Sequence, residues 1–114
     1  VVLGVPFMAV VVFEILLNAT SLFNHGNINF PLWLDRGLRF IIVTPDMHRV
    51  HHSVVLKETN SNFGFNLPWW DWMFGTYQDA PEKGHLDMEI GLPEYRDLNK
   101  TGLIKLLKMP FFKK

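Results

Sequence analysis

The first 17 residues restrict the fold of this chain more than any other feature. The stretch "VVLGVPFMAVVVFEILL" holds one charged residue, Glu14. A helix that crosses a bilayer needs about 20 predominantly apolar residues. The run therefore predicts a transmembrane or membrane-embedded helix over residues 1–20. The alternative from the residues alone is a buried core helix in a small soluble domain. Pro6 is expected to kink the helix in either setting.

The charged residues are confined to the rest of the chain. All 11 Lys and Arg and ten of the 11 acidic residues follow residue 17. Under the positive-inside rule, residues 18–114 then lie on the cytoplasmic side of a membrane. Without an obvious retrieval signal at the C-terminus, a bacterial inner membrane is favoured over the endoplasmic reticulum. The formal net charge is zero, so we expect no nucleic-acid partner.

Helix signals dominate the remainder, so the predicted fold class is mainly α. Pro31 opens a short amphipathic helix, which either continues through "FIIV" or gives way there to a strand. Thr44 and Pro45 have the residue types preferred at an N-cap and at the first helical position. Gly75 is expected to end the aromatic helix in "LPWWDWMF". Residues 53–66, which are rich in Asn and Ser, predict a loop.

These signals divide a single domain into three parts. The membrane helix over residues 1–20 precedes a histidine-rich helical cap over residues 21–78. Residues 79–114 combine an irregular acidic segment with a basic tail, "KTGLIKLLKMPFFKK", which carries five Lys and no acid. The tail predicts an amphipathic helix on an anionic membrane surface, or else an ordinary solvated helix.

Three of the five histidines lie within five residues, in "TPDMHRVHHSV". On a helix, His48, His51 and His52 fall within an arc of about 100°. Three imidazoles on one face repel each other when protonated, whereas a divalent metal binds their neutral nitrogens. The spacing therefore predicts a metal site rather than a solvated polar face. Imidazole suits Zn, Cu, Fe and Ni alike, so the ligand type does not select the metal.

Outside the cluster at residues 48–52, the sequence offers few candidate metal ligands. The chain has no cysteine, which excludes thiolate ligands, disulfides and a Cys nucleophile. Arg49 follows His48, so the segment is not the H-E-x-x-H motif of a metalloprotease. His25 in "FNHGNI" is a candidate fourth ligand. His85 in "KGHLD" is predicted to be a surface residue.

Four segments together resemble the C-terminal part of the fatty acid hydroxylase / sterol desaturase superfamily. They are "LFNHGNI", "TPDMHRVHHS", "NSNFGFNLPWWDWMFGTY" and "IGLPEY". Members of that superfamily are integral membrane, non-haem di-iron enzymes that hydroxylate or desaturate lipids with O₂. The resemblance, which runs from about residue 21 to residue 110, implies iron as the cofactor, with zinc able to substitute in purified protein. It also implies a lipid substrate and an electron donor such as a cytochrome b5-like or ferredoxin-like protein.

The resemblance also implies roles for single residues. The metal ligands that match the superfamily's motifs are His25, His48, His51 and His52. Asn62 matches the N-x-G step and is expected to bond a ligand or the metal site. Asp71 is expected either to accept a hydrogen bond from a ligand imidazole or to cap a short helix.

The chain departs from the superfamily in one respect. Members carry further histidine boxes upstream, and no histidine precedes His25 here. Four ligands cannot fill a di-iron site, so the chain is expected to be a C-terminal fragment that is inactive alone. Two other functions stay open: a non-catalytic membrane module with a structural metal on His48, His51 and His52, and a soluble aromatic-rich interaction domain.

Overall fold

The computed structural model describes residues 4–93 and 102–111, and these are mainly helical. The long first helix precedes a cap of short helices joined by ordered turns. The helices are α1 (Phe7–Asn24), α2 (Leu32–Leu38), α3 (Pro45–His51), α4 (Leu56–Thr59), α5 (Trp69–Phe74), α6 (Gly84–Asp87) and α7 (Leu103–Lys108), followed by a 3₁₀ turn at Met109–Phe111.

Helix α1 confirms the apolar N-terminal helix but corrects the expected kink. Pro6 is its N-cap, with extended backbone angles of φ −60° and ψ 140°. Proline is tolerated at a helix start because the first N–H groups have no intrahelical acceptor to reach. The helix then runs past residue 20 and ends at Asn24. Pro6 therefore sets where α1 begins and does not bend it.

The exposure of α1 distinguishes between the two alternatives for this helix, a membrane helix and a buried core helix. The helix is long and apolar enough to cross a membrane, and only 6% of it is buried by the described residues. Large side chains on several of its faces are exposed, among them Phe7, Phe13 and Ile15. A core helix would bury such side chains against its own domain. The low burial of α1 therefore favours a membrane helix over the core helix of a soluble domain.

The polar end of α1 is anchored to the cap by side-chain hydrogen bonds. Asn24 Nδ2 donates to the Phe65 carbonyl at 2.6 Å, and Thr20 Oγ1 donates to Asn66 Oδ1 at 2.7 Å. The Asn66 carbonyl accepts from the backbone N–H of Val43, just before α3, at 3.0 Å. These bonds fix the end of α1 against α3.

The predicted starts of α2 and α3 and the predicted end of α5 are confirmed. Pro31 is the N-cap of α2, and the Thr44 hydroxyl accepts a hydrogen bond from the Met47 N–H at the start of α3. Gly75 ends α5 with a left-handed φ of 70°. The segment "FIIV" after α2 forms a turn, so both alternatives for it, a continuing helix and a strand, are wrong.

Two segments contain more helix than their sequences indicate. The predicted loop at 53–66 includes the single turn of α4, and the acidic segment includes the single turn of α6. The basic tail is helical at α7, as predicted, while residues 94–101 and 112–114 lie outside the described part of the chain. Turns this short depend on contacts within the cap, because isolated helices of this length are not stable in water.

The described part of the cap has a small apolar core and many buried polar groups. Its buried hydrophobic residues are Val43, Met47 and Val50, whereas ten polar or charged residues are buried. Buried polar groups favour folding only when they are hydrogen-bonded. We therefore expect the cap to depend on its hydrogen-bond network more than on its apolar packing.

Gly64 offers a direct test of how closely the cap is packed around its hydrogen-bonded loops. A Cβ at Gly64 would lie 2.7 Å from Asp71 Oδ2 and 2.7 Å from the Leu67 carbonyl oxygen. We predict that Gly64→Ala destabilises the cap by about 1–3 kcal/mol, because a backbone oxygen must move to admit the methyl group. The matched control is Gly37→Ala, where a Cβ meets nothing within 4 Å. Thermal unfolding midpoints in detergent measure both, and equal midpoints for the two variants would contradict the prediction.

Candidate metal centre

Three imidazole nitrogens converge on one point beside the end of α1. The Nε2 atoms of His25 and His48 lie 3.3 Å apart, those of His25 and His52 lie 3.2 Å apart, and those of His48 and His52 lie 3.1 Å apart. The three atoms form a nearly equilateral triangle, which we call the histidine triangle. Among the described residues, it is the group of side chains placed to hold a metal ion.

Two helix ends build the histidine triangle. His25 is the C-cap of α1, while His48 lies within α3 and His52 is the C-cap of that helix. Positions four residues apart share a helix face, so His48 and His52 point the same way. The anchoring of α1 against α3 then brings His25 to them. The sequence predicted this set of three together with His51.

The size of the histidine triangle fits a single metal ion. Imidazole nitrogens bind zinc at about 2.0–2.1 Å, so two of them lie about 3.0 Å apart at an octahedral right angle and about 3.4 Å apart at a tetrahedral angle. The observed separations of 3.1–3.3 Å fall within that range. The donor set is all imidazole, which suits Zn, Cu, Fe or Ni.

The protonation states also favour metal binding. The Nδ1 of His25 lies 2.8 Å from the Ser21 carbonyl, which can only accept, so Nδ1 carries the proton and Nε2 keeps its lone pair. Burial, with the nearby rings of His52, His25 and His51, lowers the pKa of His48 to about 4. Burial and the same neighbours His25 and His51 lower the pKa of His52. Both rings are therefore neutral at pH 7, the form that binds a metal.

His51 lies beside the histidine triangle but not in it. Its ring stacks against His48 with centroids 5.8 Å apart, and its Nδ1 lies 3.0 Å from the Ser61 carbonyl. That bond places a proton on Nδ1 and leaves the Nε2 lone pair available, while Phe63 packs edge-on against the ring at 5.6 Å. Its role as a metal ligand stays a prediction.

Asn62 acts on the backbone that carries the histidines. It is fully buried, adopts a left-handed φ of 49°, and donates from Nδ2 to the carbonyls of Met47 and Gln78 at 2.9 Å each. Its Oδ1 accepts from the Gln78 N–H at 2.9 Å. Asn62 thus joins α3, next to His48, to the segment after α5, and its side chain bonds no imidazole among the described residues. Asn62 thus bonds the backbone of the helix that carries His48 instead of a ligand ring, and its expected role at the metal site stays a prediction.

Asp71 holds the N-x-G step, residues 62–64, through hydrogen bonds. Its carboxylate accepts hydrogen bonds from the N–H groups of Phe63 and Gly64, each at 2.8 Å, and from the Thr76 hydroxyl at 2.6 Å. Within the described ranges it bonds no imidazole, and its side chain does not cap α5. Both roles expected for Asp71 are therefore replaced by a third. It holds the loop whose Phe63 and Phe65 rings flank His51 and His48.

The structure adds residues that sequence reasoning missed. The Gly91 N–H donates to the His52 carbonyl at 2.9 Å, and Ser53 and Ile90 form an antiparallel bridge, so residues 89–91 pair with the end of α3. Ile90 and Gly91 line a cavity of about 440 Å³ together with His25 and His52. The sequence singled out this segment only through the motif "IGLPEY". No local feature indicated that it pairs with the end of α3.

His85 also departs from its prediction. It is only partly exposed, and its Nδ1 is buried without a hydrogen-bond partner in the described part of the chain. Burial is the main reason that its pKa is lowered, with Asp46 opposing and Arg49 and Arg39 adding to the effect. His85 is therefore partly buried in the wall of a polar cavity, not fully exposed as predicted.

Comparison with known proteins agrees with the site. Residues 1–76 match the fatty acid hydroxylase family. The chain belongs to this family. The matched segment contains α1, the histidine triangle, His51, Asn62 and Asp71, and it ends before His85 and Ile90. The family resemblance inferred from the histidine motifs is thus confirmed.

One curated relative of this fatty acid hydroxylase domain is itself named as a lipid hydroxylase. The ornithine lipid hydroxylase OlsE of Rhizobium tropici is 45% identical over 53 residues, which cover 46% of this chain and 16% of that protein. The aligned part is therefore a small fraction of the relative's length. No solved structure matches the chain.

The histidine triangle predicts how metal content responds to substitution. We expect His48→Ala to weaken zinc binding by more than the roughly 10–100-fold that loss of a supporting residue costs, because it removes a ligand. His51→Ala should retain the ion held by the other three rings, and His85→Ala serves as a histidine control. Equilibrium dialysis of detergent-purified protein against zinc measures all three. Equal zinc binding by wild type and His48→Ala would contradict the assignment.

Proposed function

We propose that this chain is the metal-binding C-terminal part of a membrane lipid hydroxylase. The observation that carries the proposal is the histidine triangle, three imidazole nitrogens 3.1–3.3 Å apart at the end of an apolar helix, in a chain of the fatty acid hydroxylase family. The cofactor we propose is a di-iron centre that uses O₂ to oxidise a C–H bond. His25, His48 and His52 would hold one ion, and His51 is available for a second.

The exposure of the histidine triangle supports a catalytic metal over a structural one. Structural zinc sites are closed by four protein ligands, whereas catalytic sites keep a position open. His48 is buried, but His25 and His52 are exposed and line an open cavity of about 440 Å³. O₂, substrate and further ligands can approach from that side. A structural-metal module, the alternative, would be expected to close it.

An apolar groove supports a lipid substrate. It has a volume of about 540 Å³ and runs between α1, α5 and the N-x-G loop. The Phe63 and Phe65 rings belong both to this groove and to the surroundings of His51 and His48. An acyl chain lying along α1 would therefore pass beside the imidazoles. The apolar lining side chains are Phe13, Leu17, Phe63, Phe65, Leu67, Trp70 and Phe74.

We also propose a membrane setting and an electron donor. α1 would enter the bilayer with the cap at its polar, C-terminal end, and the Lys and Arg residues after residue 17 favour a cytoplasmic cap. A bacterial inner membrane is the setting we propose, consistent with a relative from Rhizobium tropici. Electrons would come from a cytochrome b5-like or ferredoxin-like donor. The third function, a soluble interaction domain, is disfavoured by the exposed apolar surface of α1.

Oxygen incorporation tests the proposal. Membranes from cells that express the full protein containing this chain are supplied with reductant, an electron donor and ¹⁸O₂, and extracted lipids are analysed by mass spectrometry. We expect a lipid that gains one labelled oxygen atom with wild type and loses that product with His48→Ala. Lys57→Gln, at a side chain that is 78% exposed and is not part of the histidine triangle, should keep it. Unlabelled lipids in the wild-type membranes, with iron bound, would overturn the proposal.

A further inference from the structure

Helix α5 has the reverse polarity of a helix on the surface of a soluble domain. Asp71 is its one buried residue and is only 1% exposed, whereas the large apolar side chains around it face outward. A surface helix in water buries its apolar side chains and exposes its charged ones. The Asp71 carboxylate instead faces the cap, where it accepts three hydrogen bonds. The outward surface of α5 is therefore suited to apolar surroundings.

The turn that follows α2 extends this apolar surface. The Phe40 ring packs against Trp72 with centroids 5.8 Å apart, and the Trp69 indole N–H donates to the Phe40 carbonyl at 2.7 Å. Six side chains of the two segments, each 40–72% exposed, form one surface that we call the aromatic face. They are Phe40, Ile41, Trp69, Trp72, Met73 and Phe74. Contiguous exposed apolar surface of this kind marks a contact with a membrane or with another protein.

The charges next to the aromatic face are turned away from it. Between Glu58 and Asp79 the sequence has a single charged residue, the buried Asp71. Arg39, which precedes Phe40, is 5% exposed and pairs with Asp35 and Asp79. Trp is enriched where a membrane meets water, and three of the four Trp of the chain lie on α5. Composition and charge therefore favour a lipid surface as the partner.

The position of α5 along α1 supports the same partner. Trp70 and Phe74 border the apolar groove from α5, and Phe13 and Leu17 border it from α1. Phe13 lies about 16 Å before the end of α1 and Leu17 about 10 Å before it, at 1.5 Å per residue. The headgroup layer of a bilayer is about 5–8 Å thick on each side. Helix α5 thus lies beside the part of α1 that a bilayer would surround, not above the headgroups.

We propose that the aromatic face is a second membrane contact of this chain, inserted at the boundary between the headgroups and the acyl chains. Its partner is the phospholipid leaflet around the polar half of α1. Two contacts, α1 and the aromatic face, then fix the orientation of the cap against the membrane. The apolar groove between them opens into the acyl layer, so a lipid chain reaches the imidazoles without crossing water. The inference rests on the proposed function, because it takes α1 to lie in a bilayer.

Photolabelling from within the bilayer tests this contact. The full protein that contains this chain is reconstituted in phosphatidylcholine nanodiscs with a trace of a phospholipid that carries a diazirine on its acyl chain. After irradiation and proteolysis, mass spectrometry identifies the labelled peptides. We expect label on peptides from α1 and α5 and none on those from α6, whose Leu86 is 93% exposed but is not part of the aromatic face. Label on α1 without label on α5 would overturn the inference, because another helix or a second copy would then cover the aromatic face.

A charge placed on the aromatic face tests the same contact. Met73→Glu should reduce the label on α5 about fivefold, because the carboxylate leaves the acyl layer for water. Met73→Leu keeps the side chain apolar and should retain the label, as should Leu86→Glu, which adds the same charge outside the aromatic face. Zinc binding should stay at the wild-type level in all three, since neither side chain lines the cavity with His25 and His52. Wild-type labelling of α5 in Met73→Glu would overturn the inference.

The labelling also separates this inference from the proposed activity. Label on α5 without any oxidised lipid in the ¹⁸O₂ experiment would overturn the proposed activity and leave the membrane contact in place. An absence of label on both α1 and α5 would overturn the membrane setting, and the inference with it.

Discussion

The histidine triangle is the constraint on which the rest of this structure depends. Its three imidazole Nε2 atoms lie within 3.3 Å of one another, a spacing at which one metal ion can bind all three. The fold holds the rings in that position. The bond from His25 Nδ1 to Ser21 fixes one ring, and burial keeps His48 uncharged. These contacts orient the rings toward a common point, as a metal ligand set requires.

Polar contacts, not a large apolar core, keep that geometry. Asn62 joins the carbonyl next to His48 to the segment after α5, and Asp71 fastens the loop that carries Phe63 and Gly64. Asn24 and Thr20 fix α1 to the same loop. The N-x-G step, which appeared from its sequence to concern the metal directly, acts through the backbone. Apolar surface is left for α1 and for the groove along it, where a membrane and an acyl chain would cover it.

The sequence predicted the parts that depend on local chemistry. Thr44, Pro45 and Gly75 specify helix ends through capping and backbone preference, and their elements appear where expected. The i, i+4 spacing of His48 and His52 predicted a shared face. What escaped prediction depends on contacts between distant segments. The pairing of Gly91 with His52, and the partial burial of His85, have no signal within their own stretches. Pro6 was misjudged because its position relative to the helix start was unknown.

The central claim is that Nε2 atoms of His25, His48 and His52 ligate one ion. X-ray absorption at the zinc edge of the zinc-loaded, detergent-purified protein tests it most directly, because imidazole rings give distinctive multiple-scattering features. The account predicts at least three imidazole nitrogens at about 2.0–2.1 Å, with one fewer in His25→Ala. A spectrum with oxygen ligands only, or an imidazole count unchanged by His25→Ala, would contradict it.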